Sequence, residues 1–500
     1  MKPGNLVVRA DATVTSGTGH VMRCLALAQA WQDAGGQAIF AMAEGTSAVA
    51  ERLRNDRFEV ERLGVQVGSA ADAEKTSQLA LQRGATWVVV DGYKFNAEYH
   101  ASLKSHGLKV LLIDDNGHAR HYSADLVVNQ NAHASEAFYS SRDTSTRLLL
   151  GPRFAMLRRE FAPWRLWNRE IPPVARRVLV TMGGSDPDNV TQRVVVAIFS
   201  QRDFEVEVTV VAGGSNPHLL TLRKLANSNP AVRLVENTSN MPELIARADI
   251  AVSAAGTTSW EMCFLGLPAL LLVLADNQQG VAEELGNQGV MLNLGRASDL
   301  ARSAIAHQLR SLTDSSVDRR EMSRRGRALV DGRGAERVVS AMKLESLSIR
   351  LVEPADCKLL WEWTNDPVVR ASAFSSETIL WDDHVTWFRE KLSDGNCRIF
   401  VALGPSGVPV GQIRFDRRGV SEADVDIMID GRFRGLGYAS RLIELGANRA
   451  FEEFGINQLN AFVRSENVAS AKAFESAGFM PTQSVTVKRQ TATHYVRTAQ

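Results

Sequence analysis

Apolar residues in the first two thirds of the chain fall in short runs, separated by stretches with helical spacing. Residues 6–11 read as a strand, and a Gly/Thr/Ser loop follows. Val21, Cys24, Leu25, Ala28 and Trp31 then recur at helical spacing until Gly35-Gly36 ends the pattern. Residues 87–91, 110–114 and 126–129 read as further strands. Strands alternating with helical stretches predict βαβ units and a parallel sheet. A second series begins near residue 177, with strands at 177–181, 205–211, 250–253 and 270–273. Between the two series, residues 161–174 hold three prolines and two tryptophans, which predicts a packed crossing between domains. Two doubly wound halves in tandem place a cleft between them, and open sheets bind ligands at the carboxyl ends of their strands.

The pattern changes near residue 345. A strand at 348–352 is followed by a helical stretch with Trp361, Trp363, Trp381 and Trp387, then strands at 397–403, 410–416 and 423–430. The expected organisation is α/β throughout: a Rossmann-like domain over 1–165, a second over 166–345, and a different α/β domain over 346–500. The length of 500 residues agrees, at roughly 100–200 residues per domain.

Charge excludes some functions. The chain has 57 Lys+Arg against 56 Asp+Glu, a net charge of +1, so no bulk basic charge exists to hold nucleic acid or an anionic membrane. The longest apolar run, 267–275, is far short of the roughly 20 residues that span a bilayer. Arg9 and Asp11 interrupt the first apolar stretch, which predicts no signal peptide. Cys24, Cys263, Cys357 and Cys397 are widely spaced, which argues against a disulfide scaffold or a cysteine zinc site and fits a reducing cytoplasm.

The third unit holds the most specific motif. Strand 423–430 runs into Arg432-Phe-Arg434-Gly435-Leu-Gly437-Tyr438, and a helix with Leu442, Ile443, Leu445, Ala450, Phe451 and Phe454 follows. Glycines let backbone N–H groups approach a pyrophosphate, a helix N-terminus adds positive potential, and Arg432 adds a cation. Alone, the loop reads as an anion cradle or an ordinary turn. A strand at 459–463 then leads to Asn467, Ser470, Ala473, Phe474 and the turn Ala477-Gly478-Phe479. Over about 348–485 this block resembles the GNAT family of acetyl-CoA-dependent N-acetyltransferases. The resemblance implies that Arg432, Arg434, Gly435, Gly437 and Tyr438 bind the CoA pyrophosphate, and that Asn467 and Ser470 lie along the pantetheine or nucleotide arm. Many members carry a tyrosine seven residues after that asparagine, which protonates the departing thiolate; here the position is Phe474. Tyr438 or water is left as the acid. Asp424 or Asp426 is a candidate base acting through water, or else a solvated edge residue.

In the first unit, Gly17 and Gly19 permit close approach of a ligand, and His20 falls in the predicted first turn of the helix. There the helix dipole favours the neutral imidazole that a general base needs, though a histidine capping the helix reads equally well. In the second unit, Met182-Gly183-Gly184-Ser185-Asp186 and Ala255-Gly256-Thr257-Thr258-Ser-Trp260-Glu261 each follow a strand. The latter can place amides on a diphosphate, with the Glu261 carboxylate one turn on to accept ribose hydroxyls. Asp186-Pro-Asp188 has the form of a metal motif, but Pro187 makes a turn natural, and no metal is expected. His118 and His121 read as loop residues, not a metal pair.

These elements, with Arg9-Ala-Asp11, Arg23-Cys24-Leu25, Asp91-Gly-Tyr93, Ile113-Asp114-Asp115, Asn129-Gln130-Asn131 and Leu150-Gly151-Pro152, run in order along residues 1 to about 340. The segment resembles the nucleotide-sugar hydrolases of pseudaminic acid biosynthesis, GT-B-fold relatives of the MurG-type glycosyltransferases. The resemblance implies release of UDP from UDP-2,4-diacetamido-2,4,6-trideoxy-β-L-altropyranose with water as acceptor. It implies His20 as the base for water, Tyr93 beside the sugar, and Gly256, Thr257 and Glu261 on UDP. Asp11, Gly17, Gly19, Arg23, Gly184, Ser185, Thr258, Asn277 and Gln278 complete the implied substrate site. The GNAT domain then implies acetyl-CoA as co-substrate and N-4 acetylation of UDP-4-amino-4,6-dideoxy-β-L-AltNAc, the step before hydrolysis. A GT-B glycosyltransferase joined to a GNAT domain, a non-catalytic UDP-sugar sensor, and the same chemistry on a related diamino-trideoxyhexose remain the rivals.

Overall fold

A computed structural model describes residues 4–13, 17–200, 205–343, 347–404, 407–435 and 437–499. The chain divides into two compact units, Pro3–Val339 and one built on Ser340–Gln500.

The first unit contains two parallel sheets. One comprises β1 (Asn5–Ala10), β2 (Gln37–Met42), β3 (Glu59–Arg62), β4 (Ala85–Asp91), β5 (Lys109–Ile113), β6 (Leu126–Asn129) and β7 (Arg147–Leu150), in the order β3-β2-β1-β4-β5-β6-β7. The other comprises β8 (Arg177–Thr181), β9 (Glu207–Ala212), β10 (Val232–Glu236), β11 (Ile250–Ala254), β12 (Ala269–Val273) and β13 (Leu292–Arg296), in the order β10-β9-β8-β11-β12-β13. Both are Rossmann-like. The central strands are apolar almost throughout because helices cover both faces; Val88, Val89, Ile250, Val252 and Leu271 are fully buried.

Strand order reverses between β1 and β4 in one sheet and between β8 and β11 in the other. A crevice opens at such a switch point, at the carboxyl ends of the strands. The loop before His20 leaves β1, Tyr93 follows β4, Gly183–Ser185 follow β8, and Gly256–Thr258 follow β11. Topology thus directs all four loops to crevices.

The crossing segment is packed. Trp164 and Trp167 meet edge to face, and the Arg169 guanidinium donates to the carbonyls of Leu265, Ala248 and Ile245. Arg319 donates to the carbonyls of Pro172 and Pro173. Arg337, on helix Gly334–Lys343, donates to the carbonyl of Arg153 and ties this helix back to the first sheet's side.

The second unit is a mixed sheet of β14 (Ser348–Leu351), β15 (Cys397–Leu403), β16 (Pro409–Arg418), β17 (Glu422–Ile429), β18 (Gln458–Arg464), β19 (Met480–Val487) and β20 (Gln490–Thr498). Its order is β14-β15-β16-β17-β18-β20-β19. The Trp-rich stretch forms three helices, Cys357–Thr364, Pro367–Ser372 and Trp381–Ser393. β17 and β18 pair in parallel only over Glu422↔Gln458, Ala423↔Leu459 and Asp424↔Asn460, although both strands continue. Past Asp424 the two strands no longer pair.

Candidate functional site

The crevice of the first sheet is organised by one buried cation. Arg23, on helix Gly19–Asp33, grips Asp91 through Nε and Nη2 (2.7 and 2.8 Å) and Asp115 through Nη1 and Nη2 (2.7 and 3.1 Å). Asp115 also accepts from Asn131 Nδ2 (2.7 Å) and the Tyr93 hydroxyl (2.6 Å). Burial opposes the Asp115 charge, but the Arg23 guanidinium and the Tyr93 hydrogen bond hold it well below the usual carboxylate range. Burial and the adjacent Asp115 push the Tyr93 phenol far above its ordinary value, so its hydroxyl keeps the proton that it donates to Asp115.

Tyr93 sits between two imidazoles. His20 is edge-on to it with ring centroids 4.9 Å apart, and His118 is edge-on at 5.8 Å. His20 is the second residue of its helix. His118 Nδ1 lies 2.8 Å from Asp114 and Nε2 lies 3.0 Å from the carbonyl of Phe95. Burial works against the His118 cation, but Asp114 raises its pKa above the ordinary histidine value. His118 thus stands on the loop after β5 with its side chain 24% exposed, and its ring faces Tyr93. Asp114 in turn takes the Tyr122 hydroxyl and the amides of Asn116 and Gly117.

Loops of the second sheet face this crevice. Asn277 donates to the Tyr93 hydroxyl (3.0 Å). A Cβ on Gly19 would lie 3.7 Å from Thr257 Oγ1, and one on Gly17 3.8 Å from Ser185 Oγ. Gly184 packs so closely on Thr18 that any side chain would collide with its hydroxyl. His20, Tyr93, Gly17, Gly19, Ser185, Thr257 and Asn277 therefore converge.

Other expected site residues are engaged in the protein's own structure. Asp11 accepts from the amides of Ala43 and Glu44 and from Arg9, which clamps the loop after β2. Gln278 turns back to accept from the amide of Leu274. Asp186 caps helix Val190–Phe199 through the amides of Val190 and Thr191. Gly256 and Thr257 precede a helix of only seven residues, Thr258–Phe264, and the Gly256 amide is itself bonded to the carbonyl of Ala254 at 2.9 Å. Glu261 on that helix is ion-paired to Arg158 at 2.8 Å, a partner that the sequence reading missed. Its signal was a pair of arginines, Arg158-Arg159, just after the apolar run 154–157.

In the second unit, Gly437 has φ +86° and immediately precedes helix Tyr438–Phe454. A side chain there would be strained, and the glycine leaves the first-turn amides accessible. Gly435 also has positive φ, +72°. Arg432 is bound to Asp430 (2.7 Å) with its side chain 69% exposed, and this hydrogen bond pulls Asp430 down to about 2. Arg434 instead turns inward, donating to the carbonyl of Ile429 and pairing with Asp366. Asn467 Oδ1 caps helix Val468–Ser476 by accepting from the amide of Ser470. Tyr438 is buried edge-on to Phe433, and burial raises its phenol pKa. Phe474 is buried between Phe479 and Tyr495. Asp424 is tied to Arg418 at 2.8 Å; Asp426 is more open, 3.6 Å from Arg414. Among the described residues no group of His, Cys, Asp and Glu is arranged to hold a metal ion, and no helix is long and apolar enough to cross a membrane.

Two segments of the chain match known domain families. Residues 177–337 match the glycosyltransferase family 28 C-terminal domain, and residues 346–480 match the acetyltransferase (GNAT) domain. Along nearly its full length the chain is similar to an uncharacterized protein of Methanocaldococcus jannaschii: 21% identity over 496 residues, 96% of this chain and 97% of the relative. It is similar to the spore coat polysaccharide biosynthesis protein SpsG of Bacillus subtilis, 28% identical over 200 residues, 40% of this chain and 59% of that protein. It is also similar to the UDP-2,4-diacetamido-2,4,6-trideoxy-beta-L-altropyranose hydrolase of Campylobacter jejuni, 22% identical over 286 residues, 57% of this chain and 97% of the hydrolase.

Proposed function

We propose that the protein is a bifunctional enzyme of nucleotide-sugar metabolism. Its C-terminal domain N-acetylates UDP-4-amino-4,6-dideoxy-β-L-AltNAc with acetyl-CoA. Its N-terminal domains, divided near residue 165, hydrolyse the product, UDP-2,4-diacetamido-2,4,6-trideoxy-β-L-altropyranose, to the free sugar and UDP. The carrying observation is the meeting of His20, Tyr93 and Asn277 at facing crevices, with Thr257 opposite Gly19. Similarity to the Campylobacter hydrolase over 97% of its length supports the choice of reaction.

In this reading water attacks the anomeric carbon with inversion, and His20 takes its proton. The C–O bond to UDP breaks as negative charge grows on the diphosphate. Amides of the Gly256–Thr258 turn stabilise that charge in this reading. Tyr93, fixed between Asp115 and Asn277, orients the sugar. Glu261 accepts hydroxyls of the ribose. Arg23 contacts none of the reacting atoms; it keeps Asp115 ionised and Tyr93 in place.

In the third domain, the positive-φ Gly437 at the start of helix Tyr438–Phe454 fits a pyrophosphate, and the end of β17–β18 pairing at Asp424 fits an extended pantetheine arm. Acetyl-CoA supplies an activated acetyl group. Arg432, freed from Asp430, is the side-chain cation available to it, because Arg434 is held by Asp366. Asp426 is the more open candidate to take the amine proton through water. Phe474 has no proton to give, so the thiolate leaves without help from that position.

Hydrolysis of the diacetamido UDP-sugar in ¹⁸O-water tests the first half. One ¹⁸O at C1 of the inverted sugar, with no sugar acceptor added, is the expected result; release of UDP only on addition of an acceptor would favour the glycosyltransferase reading.

A further inference from the structure

Between the helix that carries His20 and the helix that carries Glu261 lies a cation with no role in the reaction as written. Arg158 stands on the segment that leaves the first sheet, directly before the 3-10 turn Arg159–Trp164. Its Nη2 donates to Glu261 Oε1 at 2.8 Å, and its Nε lies 3.1 Å from Glu160. Its Nη1 rests 3.8 Å from the sulfur of Met22, two residues after His20, and its guanidinium covers the Phe161 ring at 5.8 Å. Glu160 is held in turn by Arg52 (3.2 Å), which also pairs with Asp56. An alternating chain of charge, Asp56–Arg52–Glu160–Arg158–Glu261, thus runs from a helix of the first sheet to a helix of the second.

We propose that Arg158 is the positioning residue for the nucleotide carboxylate: it fixes Glu261 through one oxygen and leaves the other to accept the ribose hydroxyls of the UDP moiety. This inference rests on the reading of Glu261 as the ribose carboxylate. Three observations carry it. The ion pair is largely buried, with side-chain exposures of 14% and 13%, so solvent does little to screen it. A guanidinium presents donors in a rigid fork, so it sets the orientation of a carboxylate as well as its charge. The same guanidinium touches Met22, so the position of Glu261 is referred to the helix that holds His20. Burial raises the Glu261 pKa, and the Arg158 charge opposes that rise.

The test is the preference of the full-length protein for UDP over 2′-deoxy-UDP and 3′-deoxy-UDP, measured by titration calorimetry. Hydrogen bonds from the ribose to a charged acceptor should give the native protein a preference of about tenfold or more for UDP. Glu261→Gln should reduce that preference strongly. Arg158→Met should reduce it to the Glu261→Gln level although Glu261 is present, and Arg158→Lys should recover part of it. If Arg158→Met does not fold, the pair Arg158→Gln/Glu160→Gln removes one charge of each sign and should give the same loss. A folded Arg158→Met or double variant that keeps the native preference overturns the inference. A native protein that binds UDP no better than either deoxy analogue overturns the assignment of Glu261 itself, a separate failure.

Discussion

The two candidate sites are built on opposite plans. In the Rossmann-like pair, chemistry rests on side chains locked together inside the protein. Arg23 has a side chain 3% exposed and satisfies two carboxylates at once. In the acetyltransferase domain, the candidate anion site rests on backbone, on two glycines of positive φ, Gly435 and Gly437. Its cation, Arg432, is 69% exposed and pairs with one carboxylate, Asp430. An exposed pair contributes about 0–1 kcal/mol, whereas breaking a buried one costs about 3–5 kcal/mol. The first site should therefore fail through its side chains and the second through its backbone.

The largest effect should come from the group assigned to the chemistry. His20→Ala should lower UDP release from the diacetamido UDP-sugar by about 10²–10⁴-fold, the usual contribution of a general base. Steady-state UDP assays measure this, and a rate within about tenfold of native would remove His20 from that role.

Arg23→Met leaves Asp91 and Asp115 buried without their cation and should destabilise the first unit by about 3–5 kcal/mol in urea unfolding. Arg432→Met should change stability by less than about 1 kcal/mol and act on KM for acetyl-CoA instead. Equal stability losses for the two variants would erase the contrast between the sites.

Gly437→Ala forces a side chain into the left-handed region and should cost about 1–2 kcal/mol of strain, with a raised KM for acetyl-CoA. A KM equal to the native value would mean that this turn does not cradle the cofactor.

The smallest effect is on pH dependence, where two neighbouring histidines act oppositely. Burial lowers His100 to about 4, so its stability contribution is complete above its unfolded pKa near 6.5 and is lost as pH falls toward 4. His118 is raised, so its contribution is complete below its unfolded pKa and is lost as pH rises through the folded value. His100→Leu should flatten stability between pH 6.5 and 4, and His118→Asn should flatten it on the alkaline side; unfolding midpoints across pH check both. Unchanged slopes would contradict these assignments.

Much of the fold is legible in the sequence because central strands of a doubly wound sheet are buried on both faces. Strands β4, β11 and β12 are plain apolar runs. Strands β3 and β19 escaped, β3 as the partly buried Glu-Val-Glu-Arg and β19 as a mostly exposed run; the buried interior strand β2 was missed too, whereas the edge strand β14 was read. Motifs confined to one loop, such as Gly17 to His20 or Arg432 to Tyr438, were legible because their chemistry is local. The pairing of Arg23 was not, since its partners lie 68 and 92 residues away. Arg158 meets Glu261 across 103 residues, and nothing in periodicity or composition joins them. His118 read only as a loop histidine: its partner Asp114 is four residues away in the same loop, but Tyr93 becomes its neighbour only when β4 and β5 lie side by side.

The most direct test of two consecutive reactions in one chain uses the full-length protein with UDP-4-amino-4,6-dideoxy-β-L-AltNAc, with and without acetyl-CoA, following free CoA and UDP together. Free CoA appearing first, and UDP only when acetyl-CoA is present, is the result expected. UDP release at the same rate without acetyl-CoA, or CoA release with no UDP following it, would contradict the account.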